Sequence, residues 1–223
     1  QVVALETSDV AKLTTAQIGA FTEDQVAKLT TAQVQALTTQ QIAAIETTDI
    51  SKLTSAQLLA LTTAQVSAIT TQQLTNLTTD QIKSIETLDL QQLTTSQVAA
   101  LTNAQVQALT TAQVVALTTA QFAALTTNEV SKLTTAQIAA IETTDLTVLN
   151  SDQVAAFTTA QIKALTTAQL VSMGTDQIQA IQTLDLQQMT TAQIAALTDT
   201  QVPSLTTAQV VALTTEQVVS LTV

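Results

Sequence analysis

Apolar residues recur at the first and sixth positions of an eight-residue step that runs without insertion or deletion from Leu5 to the end of the chain, as in LTTAQVQA at Leu29–Ala36. Position one is apolar in all twenty-eight occurrences between Leu5 and Leu221, and position six is always Val, Ile, Leu or Phe. Position five is Gln except at Asp9, Asp49, Asp89, Asp145, Asp185 and Glu129, position eight is usually Ala, and positions four and seven vary freely. In a repeat array, constant positions read as core and variable ones as solvent face. The period therefore defines the organisation: one uninterrupted array of about 27 octads across residues 1–223, with no linker or domain boundary.

The step excludes most regular structures. At about 100° per residue, eight residues turn a helix by about 800°, so each Leu would sit about 80° round from the last and no lasting stripe would form. A coiled-coil seam needs a 3.5-residue spacing or a close relative. In a continuous strand, the odd spacings of five and three would put positions one and six on opposite faces. A β-solenoid with a corner in each octad is the alternative architecture, but two Gly, one Pro and four Asn are too few for about 27 tight turns.

Local chemistry points to a chain of very short helices. Twenty octads carry Thr at position two with Gln or Glu three residues on, as in Thr30 with Gln33 and Thr110 with Gln113. That is a capping box: the Thr hydroxyl accepts from the N3 amide, and the N3 side chain accepts from the cap amide. Positions one and six then become the hydrophobic staple, pairing Leu29 with Val34 and Leu109 with Val114. Helices of about six or seven residues do not stand alone in water, so stability has to come from stacking neighbours. The expected fold is all-α: a superhelical α-solenoid with one very short helix per octad, its interior lined by positions one and six.

A second period lies over the first. The octads LETSDVAK, IETTDISK, IETLDLQQ, IETTDLTV and IQTLDLQQ, starting at Leu5, Ile45, Ile85, Ile141 and Ile181, exchange Gln for Asp at position five and Thr for Glu or Gln at position two. Their starts lie 40, 40, 56 and 40 residues apart, which suggests five octads, or a simple fraction or multiple of that, per superhelical turn. In them the cap is expected to move to Thr47 and its equivalents, with Asp49 near the helix dipole. If such octads stack, Glu6, Asp9, Glu46, Asp49, Glu86 and Asp89 form an acidic ladder. Glu46, Asp49, Glu86 and Asp89 are then weak candidates for a hard cation taking oxygen ligands. The competing reading is a solvated stripe with i, i+3 support from Lys12 to Asp9 and Lys52 to Asp49.

Composition narrows the chemistry. The chain has no Cys, His, Trp, Tyr or Arg, and six Lys against seventeen Asp plus Glu give a net charge of -11. That removes disulfides, Cys/His metal sites and every His- or Cys-dependent nucleophile, so no enzyme, no cofactor and no small-molecule substrate are expected. Scattered Lys residues argue against a nucleic-acid partner, and the polar Thr step interrupts every apolar run well short of the roughly 18–20 residues of a membrane span. Phe21, Phe122 and Phe157 fall on core slots, Gly174 replaces a cap Thr, and Pro203 falls inside an expected helix, where it should kink it or mark an irregularity. The Thr pairs, such as Thr62 with Thr63, also suggest a hydroxyl lattice for ice binding as a remote reading.

LTTAQVVAL at Leu109–Leu117 resembles the opening helix of transcription-activator-like effector repeats, but the eight-residue restart and the acidic balance carry no DNA binding across. The whole chain is similar to Thr/Ala/Gln-rich octapeptide tracts of very large bacterial surface or secreted proteins. That resemblance implies an extracellular spacer, stalk or filament segment with no catalytic residues. A chain starting mid-octad at Gln1 and stopping three residues into another at Val223 also suggests a slice of a longer array, or ends that self-associate end to end. The rival is a solenoid module binding a protein or peptide, for which the Trp, Tyr and Arg that dominate hot spots are missing.

Overall fold

The computed structural model describes residues 2–221 and is helical throughout them, with no strand. The α-solenoid expectation holds, and the β-solenoid alternative is overturned. Two compact units, Gln1–Leu117 and Thr118–Val223, are built in the same way.

All but two octads make one α-helix of four to six residues, shorter than the sequence suggests, as in Thr31–Ala36 and Thr87–Leu90. The helix starts at position three, directly after its cap. It closes quickly: Val34 N–H donates to the Thr30 carbonyl at 2.9 Å, and Leu37 N–H reaches back to Val34 at 3.2 Å. Position one then leaves the helical region, with Leu37 at φ -63°, ψ 141°, and the next cap follows it, with Thr38 at φ -74°, ψ 161°. Two successive extended residues thus swing the chain from one helix axis to the next. No described residue, glycine or otherwise, takes a positive φ. That is why two glycines serve the whole array: its joints are extended corners rather than tight turns.

Within each unit a helix packs on the third helix along. In the first unit Thr15–Gly19 lies on Thr39–Ala44, Ser55–Leu59 on Thr79–Ser84, and Thr79–Ser84 on Asn103–Ala108. In the second, Thr135–Ala140 lies on Thr159–Ala164 and Ser151–Ala155 on Thr175–Ala180. Side-chain hydrogen bonds between turns link residues 28 to 31 apart. The superhelical turn therefore holds between three and four octads, which corrects the five suggested by the 40-residue spacing.

Positions one and six converge on the core. Leu74, Val106 and Phe122 are fully buried, and Leu77, Leu109 and Phe157 nearly so. Phe21 departs from expectation: it is only half-buried, like Leu13 beside it, and Leu5 is exposed, because no described turn covers them on one side. Positions three, four and seven face solvent, leaving Leu88 and Leu184 at position four about two-thirds exposed. Two octads are irregular. Ile50–Lys52 is a 3-10 helix in an octad without a side-chain cap, and Val202–Ser204 is a 3-10 helix built around Pro203, whose missing N–H cannot close an α-turn.

The burial pattern sets a contrast measurable by urea unfolding followed by circular dichroism. Leu74→Ala removes a fully buried staple and should cost about 2–5 kcal/mol. Leu88→Ala, on the outer face, should stay within about 0.5 kcal/mol.

Candidate functional site

Position five is the polar centre of the octad. All twenty Thr-x-x-Gln/Glu boxes form as expected: Thr102 N–H donates to Gln105 Oε1 at 2.8 Å, and Gln105 N–H donates to Thr102 Oγ1 at 3.3 Å. The box uses only the oxygen of the Gln amide. The nitrogen goes elsewhere: Gln105 Nε2 donates to the carbonyls of Leu74 and Leu77 at 2.8 and 2.7 Å, 31 and 28 residues earlier. Gln33, Gln41, Gln57, Gln65, Gln73, Gln81, Gln97 and Gln113 repeat this bridge in the first unit. Gln153, Gln161, Gln169, Gln177, Gln193, Gln201, Gln209 and Gln217 repeat it in the second.

The accepting carbonyls belong to positions six, seven and one, where one short helix ends and the chain turns the corner. A helix end leaves its last carbonyls without backbone partners, and with helices this short that need recurs every eight residues. A single amide caps the start of its own helix and the end of a helix one turn back, and these glutamines are 1–6% exposed. No buried side-chain nitrogen or oxygen among the described residues lacks a hydrogen-bond partner. Sequence reading found the box and missed the bridge. The available signal was the near-absence of Glu: a capping box accepts either residue, yet only Glu129 holds the place of twenty-one glutamines. Only an amide has both an acceptor and a donor.

Glu129 shows what the exchange does. Its Oε2 accepts from Thr126 N–H at 2.6 Å, so the box survives, but the carboxylate has no N–H to pass on and is 3% exposed. Burial raises its pKa above the ordinary Glu value, against the lowering influence of the Thr126 backbone and side-chain hydrogen bonds. Gly174 keeps half a box, with its N–H on Gln177 Oε1 at 2.9 Å. Asn150 keeps the whole of one through Oδ1.

The acidic octads differ from expectation. Glu6, Glu86, Glu142 and Gln182 remain the caps with no side-chain cap bond, and Thr7, Thr87, Thr143 and Thr183 are the first helical residues, so the cap does not move to the Thr. Asp is one methylene too short to reach back as Gln does. Thr47 lies in a turn, and Asp49 precedes the 3-10 helix without capping it. Lys12 pairs with Asp9 at 3.5 Å as expected, but Lys52 pairs with Glu23 on the preceding turn at 3.2 Å, not with Asp49. Glu46, Asp49, Glu86 and Asp89 are not gathered into a ladder, since neighbouring turns align residues 28 to 31 apart, not 40. No group of three or more acidic side chains converges among the described residues. Asp49 and Asp89 are buried, whereas Glu46 and Glu86 are exposed. No described helix is long and apolar enough to cross a membrane.

A family model described as the ALTTAQ repeat matches residues 2–39, 42–79, 82–119, 109–135, 138–175 and 178–215. Leaving out the overlapping match at 109–135, successive matches begin 40, 40, 56 and 40 residues apart. Each begins three residues before an acidic octad, so the five-octad period is the unit of the sequence and not the turn of the superhelix. No curated protein matches the chain.

Two substitutions test the bridge by chemical unfolding. Gln105→Glu preserves the box but turns a buried donor into a carboxylate facing two carbonyls, and should cost about 3 kcal/mol or more. Gln17→Glu, on an exposed residue with no bridge to an earlier turn, should change stability by less than about 0.5 kcal/mol. Glu129→Gln should stabilise the protein and remove a pH dependence. A carboxyl with a raised folded-state pKa binds its proton more tightly when folded, so stability falls as pH rises from the ordinary Glu value through the raised one. Melting temperatures of both proteins across pH 4 to 8 should diverge towards the higher end.

Proposed function

The chain belongs to the ALTTAQ-repeat family, and we propose that it is a structural element without catalytic activity, an extracellular spacer or stalk segment of a bacterial surface that can extend by end-to-end self-association. One observation carries the structural reading: the position-five glutamines spend both ends of their amides on the scaffold itself, capping one helix and bridging to the turn before. One polar side chain in nearly every octad is thereby consumed by architecture. What remains outside is mostly small and neutral, with a net charge of -11 that opposes nucleic acid and no His or Cys for nucleophilic chemistry. The surface placement rests on the resemblance to octapeptide tracts of bacterial surface proteins.

Self-association follows from the same chemistry. Gln17 and Gln25 complete their boxes but make no bridge to an earlier turn. The carbonyls of Leu197, Leu205 and Leu213 occupy the register that an amide 28 residues further on would take. Donors on one face and acceptors on the other match one another, which is the requirement for an open heterologous contact that propagates. A further turn of the same repeat, in the same polypeptide or in another copy, satisfies both.

Negative-stain electron microscopy across a concentration series, with mass from light scattering, tests this reading. Filaments that lengthen with concentration are expected, and Gln17→Ala with Gln25→Ala should shorten them. Uniform monomers at every concentration would remove self-association and leave the spacer. A saturable catalytic activity of the purified chain would overturn the structural reading itself.

A further inference from the structure

The octads IETLDLQQ at Ile85 and IQTLDLQQ at Ile181 differ in one residue, Glu86 against Gln182. Each lies within one unit together with the turn before it, and each has a Thr, Thr63 or Thr159, 26 residues before its Asp. In the octad at Ile181 side chains close the joint to that turn: Gln182 Nε2 donates to the Ala155 carbonyl at 2.8 Å, and Thr159 Oγ1 donates to Asp185 Oδ1 at 2.5 Å. Its helix runs six residues, Thr183–Gln188. In the octad at Ile85 the helix stops after four, Thr87–Leu90.

Position two holds the difference. The Leu59 carbonyl stands 27 residues before Glu86, in the register that Ala155 has before Gln182, and a carboxylate has no N–H to give it. Asp89 lacks one too, whereas the octads on either side carry the ordinary bridge, from Gln81 to Leu53 at 2.6 Å and from Gln97 to Ile69 at 2.5 Å. The octad at Ile45 repeats the case with Glu46 and Asp49. Asp49 Oδ1 takes a hydrogen bond from Thr48 of its own octad at 3.2 Å, and the octad forms only the 3-10 helix Ile50–Lys52. Its ion pair to the turn before, Lys52 on Glu23, has side chains 42% and 56% exposed, and such a pair holds weakly. On either side Gln41 and Gln57 bridge as usual, to Leu13 and Leu29, both at 2.6 Å.

We propose that the Glu–Asp octads at Ile45 and Ile85 are compliant joints, where a turn of the superhelix parts from the turn before it more readily than at ordinary octads. The residue at position two sets this: Glu leaves the joint loose and Gln closes it. Local opening begins at the least tied elements of a fold, and these octads lack the one side-chain donor that ties every neighbour. Ile50 and Leu90 are 0% and 1% exposed, so each joint closes on a complete core. Because 40 residues exceed a turn of 28 to 31, the joint at Ile85 lies on a different side of the superhelix from the joint at Ile45. Flexing at the two therefore bends the first unit in two directions. The use of such joints, letting a spacer yield to load, rests on the structural reading above; their existence does not.

Hydrogen–deuterium exchange of the whole chain, read by mass spectrometry on matched peptides, tests the proposal. The two octads offer equivalent bonds, with Leu93 N–H on the Leu90 carbonyl at 3.2 Å and Met189 N–H on the Leu186 carbonyl at 3.1 Å. Residues 87–93 should exchange about threefold or more faster than residues 183–189. Glu86→Gln should slow the first segment to the rate of the second, and Gln182→Glu should speed the second to the rate of the first. Both residues are exposed, so these variants are expected to fold, with exchange over residues 101–117 as the internal reference. Glu86→Ala removes the charge without supplying a donor and should leave exchange fast. Equal exchange of the two segments in the unmodified chain would overturn the proposal, and equal slowing by Glu86→Ala and Glu86→Gln would overturn the role given to the amide. Exchange is read on single chains, so a failure to form filaments leaves the joints standing, and uniform exchange leaves the spacer standing.

Discussion

A helix of four to six residues has no interior: nearly every backbone group in it is a terminal one. The structure rests on how those groups are satisfied, and a single glutamine amide per octad does most of the work. Its oxygen takes the cap N–H at the start of one helix, and its nitrogen serves the carbonyls that close a helix 28 to 31 residues earlier. Local and long-range order are therefore coupled through one side chain. A turn of the superhelix cannot shift register without undoing the caps of its own helices, which makes the stacking specific as well as favourable.

The hydrophobic contribution is laid on this frame, not independent of it. Positions one and six fill the core, and position one also serves as the extended corner where the chain changes direction. Because the corner is an extended residue followed by an extended cap, it needs neither glycine nor positive φ, and a β-branched Ile or a Leu can sit there and be buried at once. That dual use lets the repeat be only eight residues long. Stability is then a property of neighbouring turns, as in other one-dimensional arrays, and residues that no described turn covers on one side, such as Leu5 and Phe21, are less buried than their equivalents.

Two periods coexist without matching. The family unit spans five octads and brings back an acidic octad each time, whereas the superhelix closes after three to four. Successive acidic octads therefore do not stack on one another, and those at Ile45 and Ile181 meet ordinary octads on the turn before them. Glu23 beside Lys52 and Thr159 beside Asp185 show the consequence: the partners of each acidic octad differ from one to the next. The interruptions are distributed round the superhelix instead of being collected along one seam.

What the sequence determined by itself is local: an eight-residue step, a Thr cap, an N3 side chain three residues on, a staple across positions one and six, and hence a helix restarted in every octad. Those signals act over a few bonds, and the twenty boxes all form. What only the tertiary structure decided is the return of the chain on itself. The number of octads per turn depends on the angle at each extended corner, which no spacing encodes, and the conspicuous 40-residue period pointed to the wrong value. The partners of Lys52 and Asp185 follow from that angle, as does the destination of each glutamine nitrogen. The preference for Gln over Glu was written in every octad, but the carbonyls that explain it lie a full turn away.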